Sequence, residues 1–136
     1  MKRNYIFCLL LCLVSSFAYC QKIELSESKL KEVLCKTWIL DHGMANDEEI
    51  QGLELFTGEV FEFKTNNTYN IKSKSGNTTG IWKFNEEDKC IEIFTDDRIS
   101  SRIKFINTEK LILLPELDKM QQEFIKNLEF HFKILK

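Results

Sequence analysis

A chain of 136 residues with 43% apolar and 12% aromatic side chains, one proline and five glycines has the composition of a folded domain and excludes a disordered or low-complexity segment. Its formal net charge of −2 at pH 7 excludes the basic footprint of a nucleic-acid binder.

The first residues carry their own message. Lys2 and Arg3 precede an apolar run over residues 5–14, followed by Ser15, Ser16, Phe17, Ala18, Tyr19 and Cys20. This is the layout of an export signal, with a positive start, an apolar middle and a small-residue cleavage zone. The run is half the roughly 20 residues that a bilayer-spanning helix needs, so the segment is predicted to be removed, leaving no spanning segment. Small residues permit cleavage after Cys20 or after Ala18, and lipidation of Cys20 is a third reading, disfavoured by Tyr19 before it. The expected organisation is a signal over residues 1–20 and one domain over residues 21–136. The mature chain, with 17 basic and 21 acidic side chains, would carry a net charge of −4. Periplasm, cell surface and medium are all open as destinations.

Residues 26–34 read as a short helix. Ser26 can cap it, Glu27 sits in its first turn, and Leu30, Val33 and Leu34 share one face. After it the period changes to two. A first strand begins at residues 36–40, with Trp38 and Leu40 on one side, and runs towards Met44. Residues 46–58 form a polar, acid-bearing connection that carries Ile50, Leu53, Leu55 and Phe56.

From Glu59 onward, short alternating runs are separated by turn residues, the signature of an antiparallel meander. Phe61 and Phe63 share a face, then Tyr69 and Ile71, then Trp82 and Phe84, then Ile91 and Ile93, then Ile103 and Phe105, before a run over residues 111–114. Pro115, unable to donate a ladder hydrogen bond, should end that strand. A polar stretch over residues 116–122 leads into the last run, where Leu128, Phe130, Phe132 and Ile134 alternate with Glu129, His131 and Lys133. Eight strands and one helix result. Eight sequential strands with one apolar face each bury it by closing into a barrel, which also removes exposed edges. The fold class is therefore all-β, an eight-stranded antiparallel up-and-down barrel with a short N-terminal helix.

Little in the chain carries chemistry. His42 and His131 are its two histidines, and no Cys, Asp or Glu lies at metal-ligand spacing around either. Asp47, Glu48 and Glu49 lack the alternation and glycine of a calcium loop. No nucleophile elbow, zinc-protease helix or phosphate-cradling loop occurs, so neither an enzyme nor a cofactor is expected. Asn66-Asn67-Thr68 and Asn77-Thr78-Thr79 match the glycosylation pattern and read as turn chemistry. Cys35 and Cys90 remain in the mature chain. Export makes a disulfide between them one reading, and two buried thiols the other.

Leu34-Cys35-Lys36-Thr37-Trp38, residues 60–69 with their phenylalanine-rich strand and Asn66-Asn67 turn, Gly80-Ile81-Trp82, and the pairs Ile103-Lys104-Phe105 and Leu111-Ile112-Leu113 together resemble a lipocalin-like (calycin-like) family of small exported bacterial, Bacteroidetes-type proteins. The glycine that the family places two residues before the first-strand tryptophan is Lys36 here. The resemblance implies that Trp38 is structural and plugs the closed end. It also implies a small apolar or amphipathic ligand inside the barrel, lined by Phe61, Phe63, Tyr69, Trp82 and Phe130. A filled barrel that contacts an envelope protein or glycan through its outer surface is the alternative.

Overall fold

The computed structural model describes residues 23–52 and 59–136; the segment expected to be an export signal, and Leu53, Leu55 and Phe56 of the acidic connection, lie outside them. The first helix, α1 (Glu27–Leu34), starts where Ser26 accepts a hydrogen bond from the Lys29 amide, and it buries Leu30, Val33 and Leu34. The helix stops at Cys35, whose amide still reaches the Lys31 carbonyl. Two residues later the chain is a strand.

That strand, β1 (Thr37–Ala45), is followed by the two-residue β2 (Glu48–Glu49), then β3 (Val60–Phe63), β4 (Thr68–Ser73), β5 (Gly76–Asn85), β6 (Cys90–Thr95), β7 (Arg98–Ile106) and β8 (Lys110–Pro115), a short helix α2 (Lys119–Phe124), and β9 (Leu128–Ile134). β1 pairs with β3, each strand from β3 to β9 pairs antiparallel with the next, and β9 pairs back onto β1, with Trp38 opposite Ile134 and Ala45 opposite Leu128. The eight strands β1 and β3–β9 thus form a closed up-and-down barrel with no free edge among them.

Period-two alternation decides the interior. Trp38, Leu40, Phe61, Phe63, Tyr69, Trp82, Ile91, Ile93, Ile103, Leu111, Leu113 and Phe132 are all buried. The helix closes one end of this core. Leu30 and Leu34 are fully buried, and the Trp38 indole Nε1 donates to the Leu34 carbonyl at 3.0 Å, tying helix to barrel. An indole N–H buried among apolar groups needs such a partner. Ile23 joins the same end, its amide donating to the Lys89 carbonyl in the β5–β6 turn.

The structure adds what periodicity missed. Asn46 and Asp47 adopt left-handed φ of 51° and 66°, and Asp96 and Asp97 of 50° and 62°. Short polar side chains tolerate that region, which tight hairpins require. The first pair folds the acidic connection back so that β2 pairs with the end of β1. The polar stretch after Pro115 holds α2, because Asp118 and Gln121 form a reciprocal capping box. The Asp-x-x-Gln spacing was the legible signal for it. Phe105 is not in step with Ile103. A register shift between them at the β7–β8 ladder turns Ile106 inward, 8% exposed, and leaves Phe105 half-buried. An inserted residue reverses the alternation beyond it.

The bridge between Cys35 and Cys90 is not formed. Cys35 carries a free thiol at the end of α1. Burial pushes that thiol above its ordinary range despite nearby Lys31, and a protonated thiol neither attacks a disulfide nor ionises readily.

Candidate functional site

The two ends of the barrel differ. At the helix-covered end an aromatic cluster fills the interior. Phe61 and Phe63 stack with centroids 5.9 Å apart, Phe63 and Tyr69 lie at 6.1 Å, and Phe61 meets Phe132 edge-on at 5.0 Å. Trp82 is fully buried, and its Nε1 donates to the Lys64 carbonyl at 3.1 Å. Tyr69 pairs across the ladder with Gly80, and its ring lies over that glycine. A Cβ at Gly80 would stand 2.5 Å from the Tyr69 hydroxyl. Only glycine lets the ring pass.

The Tyr69 hydroxyl continues into a polar chain. It donates to the Phe94 carbonyl at 2.9 Å and lies 2.7 Å from Thr95 Oγ1. Thr95 Oγ1 is in turn 3.1 Å from Ser100 Oγ, which donates to the Ile93 carbonyl at 3.2 Å. Three hydroxyls from β4, β6 and β7 therefore satisfy one another inside the wall, as buried polar groups must.

At the opposite end, where β3 and β7 begin and β8 ends, the barrel opens into a cavity of about 410 Å³. Leu40, Phe61, Leu113, Pro115, Phe130 and Phe132 give it an apolar wall, while Ser100, Ser101 and Glu59 are its polar members. This volume falls within the range of small-molecule pockets. Of the five aromatic residues expected to line a pocket, Phe61 and Phe130 reach this cavity; Phe63, Tyr69 and Trp82 pack beneath it as filling. Trp38 sits fully buried at the closed end.

Sequence reasoning missed Ser101, the one buried polar residue of the core among the described residues, 7% exposed. Its signal was a serine in the same inward phase as Ile103, two residues on. No hydrogen bond joins its hydroxyl to another described residue, and among the described residues no polar side-chain atom is sealed away without a partner, so Ser101 Oγ faces the cavity.

The outer surface holds a second constellation, built by the closing β1–β9 pair. His42 stands opposite His131, and their rings stack with centroids 4.4 Å apart. Asp41 bonds His42 Nδ1 at 2.8 Å and pairs with Lys133 at 3.0 Å, and Glu129 bonds His131 Nε2 at 3.0 Å and pairs with Lys104. Hydrogen bonds from His42, then Lys133, hold the Asp41 carboxyl below its ordinary range. Burial works to raise the Glu129 carboxyl, but the bonds from Lys104 and His131 outweigh it and hold that carboxyl low as well. A surface groove of about 910 Å³ runs past Asp41, His42, Lys110 and Lys133. Much of its polar wall is already engaged in ion pairs. Stacked rings do not converge their nitrogens on one point, and among the described residues no group of three or more His, Cys, Asp or Glu can hold a metal ion.

No family model and no curated protein matches the sequence. Among solved structures the chain is similar to a DUF4847 family protein from Bacteroides vulgatus, with a TM-score of 0.54 at 14% identity over 76% of this chain and 96% of that one. The likeness is one of fold. It places this chain's barrel beside that of a bacterial domain and carries no ligand or activity with it. No helix among the described residues is long and apolar enough to cross a membrane.

Proposed function

We propose that this chain is an exported, non-catalytic binding protein that holds a small apolar or amphipathic molecule in the open end of its barrel, in the manner of the lipocalin-like domains its sequence resembles. The cavity of about 410 Å³ carries the reading: six of its nine described lining residues are apolar, and it lies above a close-packed aromatic floor. Such a site gives affinity through buried apolar area and orientation through a few polar groups. No described nucleophile stands beside a histidine base in the cavity, whose described lining residues include neither histidine nor cysteine.

The test is native mass spectrometry of the protein purified from its host, followed by titration of the emptied protein with a hydrophobic fluorescent probe. A co-purifying apolar compound, or saturable probe uptake that Leu113→Trp abolishes, is the expected result. An empty protein that takes up no probe overturns the proposal.

One observation favours a second reading, a module that contacts an envelope partner. Met120 and Phe124, one turn apart on α2, are 73% and 75% exposed. Paired exposed apolar side chains are a contact feature. Serine at both positions leaves probe uptake intact under the first reading, whereas under the second it removes partner crosslinking.

A further inference from the structure

The cavity's polar groups select among amphipaths. Ser100 spends its proton on the Ile93 carbonyl, and the Tyr69 proton goes to the Phe94 carbonyl, so the wall's hydroxyl chain offers no spare donor at Ser100. Ser101 differs. It is more than nine-tenths buried, its hydroxyl meets no described partner, and it faces the cavity with a donor and an acceptor both uncommitted. A buried hydroxyl with no partner in the protein is satisfied by water or by ligand.

Charge supplies the second constraint. Among the described residues of the lining Glu59 is the one ionisable group, and no described Lys, Arg or His stands with it. A carboxylate head group brought into this cavity would meet a like charge in a partly apolar space, with no cation to offset its lost hydration. An uncharged hydroxyl meets neither penalty. It can accept from Ser101 and donate to a carboxylate, using both capacities of one oxygen.

We infer that the cavity takes an amphipath with an uncharged hydroxyl head group, an alcohol-class lipid rather than a fatty-acid anion, with Ser101 as the head-group contact and Glu59 as the residue that rejects acids. This rests on the cavity-binding reading above.

The experiment is isothermal titration calorimetry of the full-length protein with 1-decanol and with decanoate at pH 7.4, alongside the fluorescent probe. The alcohol should bind about tenfold more tightly than the acid, the worth of one hydrogen bond plus an avoided charge contact. Ser101→Ala should weaken decanol about three- to tenfold while leaving decanoate nearly unchanged. Glu59→Gln, on the rim and without consequence for the core, should narrow the gap by strengthening decanoate. Decanoate binding as tightly as decanol overturns the inference and leaves the carrier reading standing. Probe uptake with equal decanol affinity in wild type and Ser101→Ala removes Ser101 from the site. Failure of decanol, decanoate and probe alike overturns the carrier reading itself.

Discussion

Adding one methyl group at Gly80 should destabilise the barrel on the scale of a core truncation. A Cβ there would lie 2.5 Å from the Tyr69 hydroxyl and 2.7 Å from Tyr69 Cε1, with the Phe94 carbonyl oxygen nearer still. The carbonyl belongs to the paired strand β6, so the β5–β6 ladder must shift locally and Tyr69 must leave as well. Overpacking of this kind costs about 1–3 kcal/mol. Displacing the Tyr69 hydroxyl from Phe94 and Thr95 adds about 1–3 kcal/mol for partners left buried, while replacing glycine in a strand returns about 0.5–1 kcal/mol. The net is about 1–5 kcal/mol, which for a domain of this size lowers Tm by roughly 5 °C or more. Urea denaturation followed by tryptophan fluorescence gives the free energy, and far-UV circular dichroism gives Tm. Tyr69→Phe alone should cost about 1–2 kcal/mol for its lost hydrogen bonds, and the double variant should fall short of the sum, because Gly80→Ala has already broken them. A Gly80→Ala protein within about 1 kcal/mol of wild type, or strict additivity, would refute the close approach of Tyr69 to β5.

The remaining expectations concern the seam, the helix and the thiol. Asp41 and Glu129 both have folded pKa values below their ordinary ones, so the stability they contribute is present above about pH 4 and is lost as pH falls through the lowered folded values. Glu129→Gln should therefore flatten the decline of the urea midpoint between about pH 4 and 2, and Asp41→Asn should do so less, since the Asp41 side chain is 42% exposed and screened by solvent; unchanged acid limbs in both would contradict the pairing. Trp38→Phe removes the indole donor to the Leu34 carbonyl and should cost about 2–3 kcal/mol, combining an unsatisfied carbonyl with lost packing, as read from urea melts. Alkylation of Cys35 by iodoacetamide at pH 8, followed by peptide mass spectrometry, should run several-fold slower than that of an unfolded control, because burial keeps the thiol protonated.

The barrel was legible because each strand repeats a single decision. Phe61 and Phe63 flank Glu62, Ile91 and Ile93 flank Glu92, and a period of two has one physical solution, a sheet with one buried face. Ser26 and the Leu30, Val33 and Leu34 face announced α1 for the same local reason. The candidate site was only half legible. Phe61, Phe63, Tyr69, Trp82 and Phe130 share the inward phase, but phase tells in from out and not high from low along the barrel axis.

Height is set by register, and register belongs to the closed barrel. The β1–β9 pairing brings Leu40, Phe130 and Phe132 together around an open end and sinks Phe63, Tyr69 and Trp82 into the floor. The same pairing sets His42 against His131, and the shift after Ile103 exchanges Phe105 for Ile106 at the core. Alternation, helix caps and turn residues act within a few positions of one another, so the sequence alone determined the first helix, the eight barrel strands and the all-β closure, though not β2 or α2. The cavity, the uncommitted Ser101 hydroxyl and the histidine stack arise from contacts between strands far apart in the chain, where side-chain volume and ladder offset decide the outcome, so only the tertiary structure could place them.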